Sequence, residues 1–222
     1  MSHVIGVEQL SIRMIVWVLD LPGCAVEVAE GDSVTAKALE RVETYLEWRE
    51  GYRPADKPQP GPDAQLTVSN FVHQAYDGKR RAFFEADRSP LTSDDAFELG
   101  WLLQLSRREL ERALQLASSE LLGDEPDDSW AERKRELEEL LLLEQRQINA
   151  LVMQPAAFDE SDSILMRLAD ARAETLSLLP ALVGREAVER EEEIFSARKL
   201  ARLLIHHDLQ AVHNLRMVAA RG

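Results

Sequence analysis

Three of the five histidines, His206, His207 and His213, fall within eight residues of one helical run, Ser196 to Val218. Leu200, Leu203, Leu204, His207, Ala211, Leu215 and Val218 recur at three- and four-residue steps, so the spacing predicts that His207 faces an apolar stripe. A histidine inside a helix bundle can ligate a metal, act as a general base, or sit in the core with its ring nitrogens hydrogen-bonded. Metal ligation asks for a second donor one helical turn further on, and Ala211 stands there. His206 and His213 share a face with Gln210 between them. At roughly 10 Å apart along a helix axis, that pair alone is too widely spaced to clasp one ion. It reads as a polar face near an interface.

Other residues could do chemistry by type. Glu144-Gln-Arg-Gln-Ile-Asn149 is a polar patch on a second helical stretch. Turned inward it lines a ligand pocket; turned outward, the commoner case, it is a solvated face. The stretch Arg185 to Glu193 carries Glu186, Glu189, Glu191, Glu192 and Glu193, and such crowding of like charge suits a solvated loop better than a metal site. Cys24 follows a Pro-Gly turn with no histidine beside it in sequence and reads as a small apolar residue. Trp17, Trp48, Trp101 and Trp130 read as core or interface anchors, and His73 as a surface or sheet residue without an evident partner. There is no Gly-rich phosphate loop, Gly-x-Ser-x-Gly, His-Glu-x-x-His or Cys-x-x-Cys.

The elements that would position these residues fall into two regimes meeting near residue 90. In the first, Ser11 to Leu19 places Ile12, Met14, Val16 and Val18 on one strand face, with Ile15 and Trp17 on the other. Two apolar faces predict a strand central in its sheet. Asp20-Leu-Pro-Gly23 breaks it, Cys24 to Ala29 reads as the next strand, and a helix from about Val34 to Trp48 follows its cap Ser33. Gly51 and Pro54 end that helix. Residues 54–63 hold four of nine prolines and read as an exposed extended loop. Gln65 to Tyr76 and Lys79 to Ala86 flank Asp77-Gly78 and read as a hairpin.

The second regime is helical. Ser89-Pro-Leu-Thr-Ser-Asp-Asp opens a helix to about Leu122, capped by Thr92 or Ser93. A second runs from Asp127-Asp-Ser129 to about Met153, a third from Ser161-Asp-Ser163 until it fades near Leu182–Gly184, and the fourth is the histidine-bearing run. Four long amphipathic helices with short to medium connections predict a four-helix bundle. The fold class is therefore α+β, with domains 1–88 and 89–222.

Two resemblances attach to these halves. Ile15-Val-Trp-Val-Leu-Asp-Leu-Pro-Gly-Cys24, then Gly31-Asp-Ser33, then Ala36 to Glu47 with its Tyr45-Leu46, is similar to a HicB-type domain. That resemblance implies a small, catalytically degenerate ribonuclease-H-like α/β sheet domain over about residues 1–85, used mostly as an antitoxin against a small basic toxin. The DNA-binding element that often follows such a domain is replaced here by the helical half. That half resembles the DinB/YfiT-like bundle, a family that often binds a divalent metal through three histidines. Phe195-Ser-Ala-Arg-Lys-Leu200 and its continuation to Leu215 track the family run of aromatic-Ser/Thr-x-Arg-Lys followed by Trp-His-x-x-x-His. On that register His206 takes the tryptophan position, His207 the first metal histidine, and Ala211 replaces the second. Taking Glu144 as the family's helix-two glutamate puts Glu139 at the remaining ligand position. The implied pocket is therefore Glu139, His207 and Ala211, with His207 and Glu139 as candidate ligands for Zn²⁺ or Ni²⁺. The simpler reading of His207 is a core histidine hydrogen-bonded to Glu139 or a backbone carbonyl.

Composition narrows the functions. A net charge of −14 argues against nucleic acid and anionic membrane surfaces and permits a small basic protein partner. No apolar run approaches the roughly 20 residues of a membrane span, and the N-terminus lacks a secretion signal. One cysteine suits a reducing cytosol. These features lead to the expectation of a cytoplasmic, non-enzymatic interaction or small-ligand-binding protein in stress response or regulation, its DinB-type metal site degenerate, and a homodimer. The alternatives are a DinB-like metal- or thiol-dependent transferase or hydrolase, and a HicB-like antitoxin module.

Overall fold

Strand β2 (Arg13–Val18) buries both of its faces, because it lies between β1 (Ser2–Gln9) and β3 (Ala25–Ala29). The structure, a computed structural model, describes residues 2–9, 13–51, 65–73, 82–121, 128–152 and 163–219. Contacts divide the chain into two compact units, Met1–Arg88 and Ser89–Gly222. No helix among the described residues is long and apolar enough to cross a membrane.

In the first unit, β1, β2 and β3 are antiparallel, and β4 (Gln65–His73) returns parallel to β1, giving the order β3-β2-β1-β4. Helix α1 (Val34–Glu50) crosses between β3 and β4 and buries Ala38, Val42 and Tyr45. Ser33 caps it by accepting the Ala36 N–H at 3.3 Å. The Leu21-Pro22-Gly23-Cys24 corner is closed by the Cys24 N–H donating to the Leu21 carbonyl at 2.9 Å, with Gly23 at φ 84°. The Tyr45 hydroxyl donates to the Pro22 carbonyl at 2.5 Å, so α1 is pinned to that corner.

Gly6 marks an irregularity in the β1–β4 register, and a Cβ there would stand 2.5 Å from the ring of buried Phe84. Glu8, also fully buried, accepts from the Trp17 indole and from the Ala82 N–H, each at 3.1 Å, and so ties the residues before α2 (Glu85–Arg88) to the sheet. His3 is buried on β1, its Nδ1 hydrogen-bonded to Asp20.

In the second unit four helices pack in a ring. They are α3 (Ser93–Leu121), α4 (Asp128–Val152), α5 (Ile164–Leu178) and α6 (Ala197–Ala219). Helices α3 and α4 each pack against both α5 and α6. Thr92 and Asp95 form a reciprocal cap on α3, with the Asp95 N–H donating to Thr92 Oγ1 at 3.1 Å and the Thr92 N–H to Asp95 Oδ2 at 2.9 Å. Ser163 caps α5. The helix fades as expected, through a 3-10 turn at Leu179–Leu182.

Several sequence expectations need correction. The sequence pattern assigns no strand to residues 2–9, yet β1 is an inner strand. Gln65–His73 is a strand, but it pairs in parallel with β1, and residues 85 and 86 are helical instead of completing a hairpin. The Asp77-Gly78 turn and the proline-rich stretch lie outside the described residues. The acidic connection is not simply a solvated loop: Val188–Arg190 (β5) and Glu193–Phe195 (β6) form a hairpin, and Glu193 is buried.

Candidate functional site

Each helix of the ring carries a stripe of apolar residues at helical spacing, and each stripe is interrupted by a charged residue at the same level. These are Arg107 on α3, Glu144 on α4, Arg172 on α5 and Asp208 on α6, and all four are buried. Arg107 donates to Glu144 Oε2 at 2.7 Å and to Asp208 Oδ1 at 3.1 Å. Arg172 donates through Nε to Glu144 Oε1 at 2.8 Å and through Nη1 to Asp208 Oδ2 at 3.0 Å. Hydroxyls complete the set: Thr175 donates to Glu144 Oε1 at 2.9 Å and Ser106 to Asp208 Oδ2 at 2.8 Å. Arg107 also donates to the Leu168 carbonyl at 2.6 Å and Arg172 to the Leu103 carbonyl, while the buried Arg107 Nε has no hydrogen-bond partner among the described residues.

Two cations and two anions cancel, and all four carboxylate oxygens accept at least one hydrogen bond. A buried charge is tolerable only when so paired. Burial by itself raises the Glu144 pKa, but Arg172 and then Arg107, with hydrogen bonds from Arg172 and Thr175, outweigh it and hold the carboxyl below its ordinary range. For Arg172, burial works against the charge, and Asp208 and Glu144 outweigh it. Glu144 is thus ionised, enclosed and fully engaged at neutral pH, which makes it a poor general base.

A second buried ion cluster holds the β5–β6 hairpin. Fully buried Lys199 donates to Glu193 Oε1 at 2.6 Å and to the Ile194 carbonyl at 2.8 Å, and Arg146 of α4 reaches Glu193 Oε2 at 2.6 Å. Arg190 donates to the Ala150 carbonyl at 2.7 Å and Arg185 to the Leu151 carbonyl at 3.4 Å, capping the last turn of α4.

The residues singled out by sequence are not gathered into a metal centre. Glu139 is exposed on α4, and His207 is half-buried. Ala211 is half-buried and packs against an apolar cluster that includes Leu110, Leu141, Val212 and Leu215. The α6 register also departs from expectation: His206 is more buried than His207, Asp208 is fully buried, and His213 is exposed. The His206 and His207 rings meet edge to face at 5.2 Å. On α4, Glu144 and Gln147 point inward, against the expectation of a solvated patch. Among the described residues, no group of three or more His, Cys, Asp or Glu side chains is placed to hold an ion. The donors present do not fit the divalent metal that the DinB-like resemblance implies.

Compared with known proteins, the chain matches no family model, no curated protein and no solved structure.

Sequence reasoning picked out Glu144 alone of the four network residues, and for another role. The signal was present: Leu168, Arg172 and Thr175, or Leu204, Asp208 and Val212, keep helical spacing while one member is charged. Four such interruptions with charges summing to zero indicate a closed network once the helices are known to face one another.

Proposed function

We propose that this chain is an interaction protein whose helical bundle carries out no chemistry in its core. One observation carries the reading: every oxygen of Glu144 and Asp208 is already held by an arginine or hydroxyl, so the polar centre of the bundle is committed to holding four helices in one register. A DinB-like bundle whose polar core is this network would keep the architecture and act through its surface. The charge of −14 and the single buried thiol suit a cytosolic protein whose partners are not nucleic acids.

For the first unit, a HicB-like, ribonuclease-H-like reading is supported by the strand order β3-β2-β1-β4 and by the Tyr45 hydrogen bond to Pro22. That contact joins two of the three motif pieces that carry the resemblance, Ile15–Cys24 and Ala36–Glu47. An antitoxin-like role against a small basic protein is the second reading, and the acidic charge favours it.

Elemental analysis of protein prepared without chelator, before and after loading with Zn²⁺ or Ni²⁺, tests the leading reading. Substoichiometric metal and an unchanged melting temperature are expected. Near one equivalent of tightly held metal, lost in His207→Ala, would overturn it and bring the transferase or hydrolase alternative forward.

A further inference from the structure

We draw no further inference here: the strongest candidate, the open apolar groove of about 590 Å³ between α3 and α5 lined by Phe97, Gly100, Trp101, Leu176, Leu179 and Pro180, carries nothing because nothing in the structure shows what covers it.

Discussion

Replacing Glu144 by glutamine keeps the side chain's size and one carbonyl oxygen while removing a charge from the centre of the bundle. In the native network Glu144 accepts from Arg172, Arg107 and Thr175 at 2.7–2.9 Å. The variant leaves two buried guanidinium groups facing one carboxylate, and the new amide N–H groups point at a donor. Removing one partner of a buried pair costs about 3–5 kcal/mol, a large share of the roughly 5–15 kcal/mol that holds a typical domain together. Urea unfolding followed by far-UV circular dichroism reads mainly the helical unit, and Glu144→Gln should lower its midpoint with little change in slope. Adding Arg107→Met returns the core to neutrality with Arg172 and Asp208 still paired. The double variant should therefore recover about 1–3 kcal/mol relative to the sum of the singles. A Glu144→Gln loss under about 1 kcal/mol, or strict additivity, would refute a tightly coupled network. The pH dependence has a fixed sign. Because the folded-state pKa of Glu144 is depressed, its contribution is fully present above the ordinary carboxylate range, for which 4.5 is the reference, and is lost as pH falls through the folded value. Glu144→Gln should remove that part of the acid sensitivity.

Three further outcomes are expected. Burial, opposed in part by Arg41 and aided by Asp20, pushes the Cys24 thiol up to about 12, so a disulfide reagent at mildly alkaline pH should label it only as fast as the first unit opens; labelling at the rate of a free thiol would count against the buried corner. Gly6→Ala should cost about 1–3 kcal/mol by driving a methyl group into the Phe84 ring, read by thermal denaturation, and a neutral result would mean that Phe84 yields freely. Glu191 and Glu192 turn the β5–β6 hairpin at φ 49° and 65°, where non-glycine residues are strained. Combining Glu191→Asn with Glu192→Gly should therefore stabilise by about 1 kcal/mol in the same assay, and a loss would show that the glutamate side chains contribute there.

How much of this was legible beforehand depended on how far apart the informative residues lie. Ser33 capping α1 and Gly51 ending it are signals within a few residues and read in the right place, and of the two caps open for α3, Thr92 or Ser93, the structure uses Thr92 with Asp95. The central position of β2 was also legible, because its two apolar faces sit in one short window. Strand β1 escaped because Ser2–Gln9 contains His3, Gly6 and Glu8, which look unlike a core strand. Their burial depends on Asp20, Phe84 and Trp17, with Ala82 supplying a backbone N–H. Glu193 escaped for the same reason. In a run of glutamates nothing local distinguishes the one that Lys199 and Arg146 enclose.

The sequence by itself determined the division into a sheet-rich and a helical half, the helix limits, and the fact that four amphipathic stripes must face inward. Periodicity and capping are short-range, and hydrophobic burial follows them almost regardless of context. Only the tertiary structure decided what fills the centre of the bundle. Arg107, Glu144, Arg172 and Asp208 come from four helices and as many as 101 residues separate bonded partners, so their neutrality exists only when the helices meet. The same meeting leaves His207 half-buried on α6 and Glu139 exposed on α4. A charged residue in an apolar stripe is a liability in one helix and a lock in four, because the desolvation cost is local while the compensating charge is not.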